Sequence, residues 1–407
     1  MIPPAKVCPE GISRTFPGAG GAGFRRQFAS CPIPDSRLQF RPPETGRFCR
    51  SRRGRCRRQR GRPHTGKPGP MRQDLYQRLR CPRCGGRLGV TIETGDSNLV
   101  LAGWLDCWSC VERFPVVNGI PRFVPVMNYA DSFGLLWDSF QQAVLDSALG
   151  ITQSRDRFFR ETAWQPADLQ DKWLLEIGCG AGRFTEIAVQ CGAQVVAVDY
   201  SSAIDACRRN LGDDPRLHYV QGDIYQLPFR PGLFDYVCCF GVLHRLPDAA
   251  AGFQALPRQL KPGGQLAVDI APRRFFRRFG PTAWFRLLTT RLPMAQAMRF
   301  SRWLTACLLP IQRLLGRIPL VGAHLQRLLP IAPVETLSCR PEQVHERACL
   351  AMCDRLMTQH HQPGDVESVA QWLRDAGLEQ IETCCDTLIV GRGRMPHRQS
   401  SQEPRAA

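Results

Sequence analysis

Nowhere in the 407 residues does an uncharged apolar run approach the length of about 20 that a membrane-spanning helix needs. Residues 1–70 lack the apolar core, roughly 7–15 residues, of a secretory signal, and their Pro/Gly content argues against an amphipathic transit peptide. Acidic side chains are missing from residues 272–334, where eleven arginines stand with no Asp or Glu; the longest uncharged run there, Trp303–Gln312, is ten residues. The 19 cysteines are odd in number and scattered through prospective strands and helices. That excludes a small disulfide-stapled scaffold and points to a reducing, cytoplasmic setting.

Positive charge is present in excess, but unevenly. The formal net charge is +18, and residues 1–70 hold 14 Arg and 2 Lys against 3 acids. The remainder of the chain is therefore only mildly basic. Residues 1–70 also carry 11 Pro and 10 Gly, a composition that cannot bury enough apolar area to fold. The run Arg50–Arg62, with eight arginines, reads as a disordered nucleic-acid-binding arm. The favoured alternative is that the natural protein starts at Met71, where regular structure begins.

Four cysteines stand apart. Cys81-Pro-Arg-Cys84 and Cys107-Trp-Ser-Cys110 are two Cys-x-x-Cys knuckles separated by 22 residues. Two such pairs place four thiolates around one zinc, a closed structural site with no open position. Gly85-Gly86 permits the first knuckle's turn. Redox chemistry would need a single pair on a thioredoxin-like pattern, which is absent. Past the second knuckle comes Phe114-Pro-Val-Val-Asn-Gly-Ile-Pro121. Together these residues resemble the zinc-ribbon family that includes the activating subunit of tRNA and protein methyltransferases. The resemblance implies a ribbon fused in cis to whatever follows.

The densest signal is Leu174-Leu-Glu-Ile-Gly-Cys-Gly-Ala-Gly182, with Asp199 seventeen residues further on. This is a strand, a glycine turn, a helix start and an acid at the tip of the next strand. Glycines let the backbone approach a ligand, the helix start favours a negative group, and Asp199 is placed to accept from ribose hydroxyls. A dinucleotide fingerprint would be Gly-x-Gly-x-x-Gly, but Arg183 stands where its third glycine belongs. Downstream follow Gly222-Asp223-Ile224, Phe234 through His244, and Leu260-Lys-Pro-Gly-Gly264. In order and spacing these motifs resemble the class I S-adenosylmethionine (SAM) methyltransferases. The resemblance implies a cofactor set of Glu176, Gly178, Gly180, Gly182, Asp199, Asp223, Ile224 and Phe240. In it Asp223 would bind the adenine amine, Ile224 would cover the ring, and Phe240 with Gly241 would underlie the methionine moiety.

The expected fold is α/β: a doubly wound, mostly parallel seven-stranded sheet, with a small N-terminal zinc ribbon and a helical insertion after the fifth strand. Strands are expected near 173–177, 194–198, 217–220, 235–240, 265–270, 381–383 and 388–391, with Ser201 capping the helix after Asp199. The chain divides into a disordered extension (1–70), ribbon (71–126), helical cap (127–170), SAM-binding core (171–271), basic helical insertion or acceptor lid (272–335), the rest of the core (336–391) and a disordered tail (392–407).

His244, ending the fourth strand, is the candidate catalytic base, should the acceptor have to lose a proton; a structural role is the alternative. His360 and His361 are weaker candidates, and Asp269 and His218 have ordinary structural explanations. The arginines of 272–334 admit three readings: the outer face of a solvated lid, a docking surface for an anionic or lipid-bearing acceptor at an anionic membrane surface, or an RNA groove. The expected function is SAM-dependent methylation of a small-molecule or carrier-linked acceptor. The alternatives are an RNA methyltransferase, disfavoured because no Asn/Asp-Pro-Pro-aromatic run follows the fourth strand, and a SAM-binding scaffold that activates a partner enzyme.

Overall fold

The structure is a computed structural model, and it describes residues 69–125, 130–140, 144–273, 281–318, 343–358 and 360–397, with residues 326, 329, 331 and 340 singly. The arginine-rich extension up to residue 68, the tail from 398, and Arg274, Arg277 and Arg278 of the insertion lie outside the described residues.

The first strands form a small antiparallel sheet over the residues expected to be the ribbon. They are β1 (Met71–Arg72), β2 (Leu88–Gly95), β3 (Leu99–Cys107), β4 (Arg113–Val117) and β5 (Ile120–Pro121), with the short helix α1 (Gln73–Tyr76) after β1. The strands pair antiparallel in the order β1-β3-β4-β5, and β2 pairs along Val100–Cys107 on the opposite edge of β3. Asn118-Gly119, both at positive φ, make the tight turn between β4 and β5.

The larger sheet holds β6 (Trp173–Ile177), β7 (Gln194–Asp199), β8 (Leu217–Gln221), β9 (Phe234–Cys239), β10 (Leu260–Ile270), β11 (Glu379–Cys385) and β12 (Ile389–Arg394). Its order is β8-β7-β6-β9-β10-β12-β11, with β12 antiparallel to both neighbours. The seven-stranded, mostly parallel sheet expected from the sequence is thus present. One boundary differs: β10 starts at Leu260, so Lys261–Gly264 form an irregularity inside the strand rather than a turn before it.

The central strands β6, β7 and β9 read as nearly continuous apolar runs because both of their faces are buried, whereas the edge strand β11 is polar and largely exposed. Leu175, Ile177, Val196, Val198, Val237 and Cys239 face one core, and Leu174, Val195, Ala197, Tyr236 and Cys238 face the other. The alternation is the two-residue period of a strand. The second core is completed by α4 (Gln153–Thr162), α5 (Arg183–Gln190) and α6 (Ala203–Leu211), through Phe158, Ile187 and Ile204. The first takes α7 (Ala249–Ala255), and it also takes Met71, Leu75, Leu79, Leu88 and Leu105 of the ribbon. The ribbon is therefore continuous with the core. Phe123 donates its N–H to the Gln221 carbonyl at 2.8 Å, the Arg72 guanidinium reaches the Leu217 carbonyl at 3.1 Å, and Arg122 pairs with Asp205 at 2.8 Å. Together these contacts cover the open edge at β8.

The helical cap consists of three pieces: α2 (Asp131–Ser139), α3 (Asp146–Leu149) and α4. The insertion supplies α8 (Pro281–Thr289) and α9 (Met294–Leu315), followed by α10 (Val344–Leu356). Assigned to the core by its sequence position, α10 packs instead with the insertion and the cap. Its Ala348, Met352 and Leu356 pack with Leu304 and Leu309 of α9, while Cys349, Leu350 and Cys353 pack with Leu136 and Phe140 of α2. The chain rejoins the sheet through α11 (Val366–Asp375), whose N-cap Asp365 accepts from the Ser368 N–H at 2.8 Å. Among the described residues no helix is long and apolar enough to cross a membrane.

Candidate active site

The carboxyl ends of β6, β7 and β9 open into a cavity of about 340 Å³, closed from above by α2 and α10. It lies where strand order reverses between β6 and β9, the switch point at which doubly wound sheets bind ligands. Its volume falls in the range of about 300–1,000 Å³ that small-molecule sites occupy. One end is formed by Gly178, Gly180, Asp199, Tyr200, Gly222 and Ile224.

Local geometry explains that end. Gly178 has φ of +77°, and a Cβ there would meet the Val242 side chain at 2.0 Å. Gly180, at φ +53°, lies under the Trp137 ring, which a Cβ would touch at 3.0 Å. Asp199 Oδ2 accepts from the Gly180 N–H at 2.9 Å, and Oδ1 accepts from the Ser201 N–H and hydroxyl at 2.9 and 2.7 Å. The glycine turn and the acid thus fix each other. Ser201 is not the helix cap expected of it: α6 begins at Ala203 with Ser202 as N-cap, and the Ser201 hydroxyl serves Asp199 while accepting from the Ala203 N–H at 3.2 Å.

The other end is lined by Phe240, Gly241, Phe184, Val144 and Leu350, with Arg157, Arg183, Arg245, Arg347 and Asp354 among them. Asp269, fully buried at the end of β10, accepts from Arg157 at 2.6 Å and from the Gly241 N–H at 2.5 Å. Arg157 also bonds Glu161 at 2.8 Å. Burial pushes the Asp269 carboxyl up to about 6, against the opposing pull of Arg157. Arg245 makes a two-point ion pair with Asp354 of α10 at 2.6 and 2.8 Å, tying the lid to the end of β9.

Residues 175–268 match the model of a family described as a methyltransferase domain. Over 110 residues the chain is 37% identical to the ubiquinone biosynthesis O-methyltransferase of Pseudomonas paraeruginosa, an overlap of 26% of this chain and 47% of that protein. Residues 175–268 are a methyltransferase domain. Over 120 residues the chain is also 33% identical to the demethylmenaquinone methyltransferase of Clavibacter sepedonicus, covering 29% of this chain and 49% of that one. It thus spans about half the length of these two relatives. Among solved structures, the magnesium protoporphyrin IX methyltransferase of Synechocystis PCC 6803 with bound SAH is similar at 16% identity and a TM-score of 0.36, covering 66% of this chain and 96% of that one.

Of the cofactor residues expected in the methyltransferase domain, Gly178, Gly180, Asp199, Ile224 and Phe240 line the cavity. Asp223 does not line it, although both its neighbours do; its carboxylate accepts from the Tyr225 N–H at 3.0 Å. Glu176 and Gly182 lie behind the wall. Glu176 is buried and accepts from the Thr185 hydroxyl at 2.5 Å, which ties α5 to β6. A Cβ on Gly182 would meet Leu211 at 2.8 Å, so this glycine serves the close approach of α6.

His244 also falls outside the cavity lining. The chain enters a 3-10 turn at Leu243–Arg245, which buries His244 and presents Arg245 instead. Burial and the adjacent Arg245 charge push the His244 imidazole down to about 3, too weak a base for neutral pH. His361 lies against it with ring centroids 6.1 Å apart, on a segment whose Gln362 N–H donates to the His244 carbonyl at 2.8 Å.

The knuckle cysteines Cys81, Cys84, Cys107 and Cys110 do converge. Their closest sulfur pairs are 3.5 to 3.7 Å apart. Tetrahedral zinc–sulfur bonds of about 2.3 Å would set sulfurs about 3.8 Å apart, so the set fits the metal. Four thiolates that close repel one another, and a divalent cation at their centre removes the conflict.

Proposed function

We propose that this protein transfers the methyl group of SAM to a small-molecule or carrier-linked acceptor. The observation that carries the reading is the switch-point cavity, whose nucleotide-shaped end is built from Gly178, Gly180, Asp199 and Ile224. SAM, when bound, supplies an already activated methyl group on a sulfonium centre. The chain's own residues hold and orient. Asp199 accepts from ribose hydroxyls while keeping the glycine turn in register, and Ile224 covers an aromatic ring. Trp137, Phe184, Phe240 and Leu350 exclude water from the transfer region. With His244 turned away, positioning is the main contribution this site makes.

The relatives' names support a small acceptor, since one names ubiquinone biosynthesis and the other demethylmenaquinone. The acceptor side belongs to α10, whose Arg347, Leu350, Ala351 and Asp354 face the cavity at helical spacing. The ribbon cysteines hold one structural zinc. An outer surface of the lid meets anionic membrane. On α9, Trp303, Cys307, Ile311 and Leu314 share one exposed stripe, with the exposed Arg299 and Arg313 beside it.

The test is calorimetry with SAH, followed by mass spectrometry of metabolite and lipid extracts treated with the protein and methyl-labelled SAM. One SAH per chain and a labelled small product are expected. Label appearing only in RNA would replace this reading with the RNA methyltransferase alternative.

A further inference from the structure

The side chains at the acceptor end of the cavity are rich in hydrogen-bond donors and poor in acceptors. Arg157, Arg183, Arg245 and Arg347 line it, and a guanidinium donates but never accepts. Phe184, Phe240, Val242, Leu246 and Leu350 are apolar. Among the described lining residues the carboxylates are Asp199 and Asp354. Asp199 holds the glycine turn at the nucleotide end. Asp354, on α10, is therefore the carboxylate of the acceptor end. His244 does not line the cavity and offers it no acceptor.

Asp354 is held firmly. Each of its oxygens accepts one bond from Arg245, at 2.6 and 2.8 Å, which leaves lone-pair capacity on both. Its side chain keeps 32% exposure. Burial raises its carboxyl, but the Arg245 guanidinium outweighs burial and holds it below the usual carboxylate range, so it is ionised at neutral pH. Just past α10, the Thr358 hydroxyl donates to the Asp354 carbonyl at 2.7 Å, and Arg286 of α8 donates to the Thr358 carbonyl at 2.8 and 3.1 Å. This end of α10 is thus gripped by the turn after β9 and by α8. Leu350 lies one turn before Asp354 on the same helix face, so an apolar surface adjoins the carboxylate.

In-line displacement at a sulfonium methyl requires a lone pair of the nucleophile to face the methyl carbon. A hydroxyl that turns a lone pair there must send its hydrogen elsewhere, and an enclosed O–H without an acceptor is costly. We propose that Asp354 receives that hydrogen: the acceptor is an apolar molecule methylated at a hydroxyl, its body against Leu246 and Leu350 and its O–H on the Asp354 carboxylate. This rests on reading the cavity as a SAM site. As an oxygen lone pair forms the new O–C bond, the S–C electron pair withdraws to sulfur and SAH is left. The O–H electron pair returns to oxygen, and the proton passes to Asp354. An oxygen that has gained a methyl group and still holds its proton is strongly acidic, so a carboxylate of low basicity suffices to take it.

The experiment titrates thymol and thymol methyl ether, in separate arms, into the full-length protein saturated with SAH. The two probes share one apolar body, and only thymol carries an O–H. Wild type should bind thymol at a single site, at least about tenfold more tightly than the ether, as expected of a bond to a charged group. In Asp354→Leu that ratio should fall to about one, while the SAH dissociation constant changes by less than about twofold. A purely structural Asp354 would leave the ratio where it was, since a loosened lid weakens both probes alike. Should Asp354→Leu fail to fold, the double variant Asp354→Leu with Arg245→Met, which removes both charges together, carries the same comparison. The proposal is overturned if wild type binds neither probe, if it binds both equally, or if the ratio persists in the variant without Asp354. Failure of the SAM reading itself would look different: wild type would bind no SAH at all, and the proposal would fall with it.

Discussion

Asp199 makes three hydrogen bonds that fix the Gly180 and Ser201 amides, and it retains a lone pair facing the cavity. Bonds to a charged group contribute roughly 1.5–3 kcal/mol each. Asp199→Ala should therefore lower SAM affinity at least tenfold by calorimetry and leave the circular dichroism unchanged. A folded variant with wild-type affinity would refute the assignment. Glu176 was legible as part of the motif but not its position. Its bond to Thr185, nine residues on, depends on how α5 sits against β6, which no local pattern reveals. Burial pushes Glu176 up from 4.5 to about 7, with the Thr185 hydroxyl opposing, and Asp269 rises from 3.8 to about 6. Both folded values exceed the unfolded ones. Between about pH 4.5 and 7 the native state thus holds protons that the unfolded chain has released, and stability falls as pH rises. The melting temperature of the ligand-free protein should drop across that window, and Glu176→Gln should flatten the slope; a wild-type melting temperature that climbs with pH would contradict this.

Between elements, the Arg245–Asp354 pair is a two-point ion pair that ties α10 to the turn after β9. Asp354→Leu deprives Arg245 of its two-point partner. Since Arg245 keeps 20% side-chain exposure, the cost should be on the order of 2 kcal/mol, below that of a fully buried pair. Hydrogen exchange should quicken in α10 and stay slow in β6; unchanged α10 protection would show that apolar packing alone holds the lid. The central strands were legible because β6, β7 and β9 are nearly apolar runs bounded by turns. The extent of the lid was not, since α10 has the same amphipathic period as a core helix, and only its partners, Leu304 and Leu136, reveal its place. Nor could spacing show that Arg157 meets Asp269 across 112 residues. On the outer side of α9, the exposed stripe should bind vesicles containing anionic lipid and release them with added salt, because charges in water are screened over about 8–10 Å. Trp303→Ser with Ile311→Ser should abolish co-sedimentation; retention by neutral vesicles in high salt would argue against electrostatic docking.

Across the whole molecule, ribbon and sheet share one apolar core. Metal analysis should give about one zinc per chain, and Cys107→Ser should lose it. Because Leu75, Leu79 and Leu105 pack with Val198 and Val220, ribbon and methyltransferase domain should melt in one calorimetric transition. Two resolved transitions in wild type would show that the ribbon is an independent module.

The ribbon's cover over β8 has a colloidal consequence. A sheet edge with open carbonyl groups is a template for pairing with another chain. In the native molecule the Gln221 and Leu217 carbonyls are occupied by Phe123 and Arg72. A chelator that strips the knuckles should loosen those two contacts and bare the edge, so metal loss should be read out as concentration-dependent self-association. The four cysteines would then act as a gatekeeper of solubility, far from any methyl group.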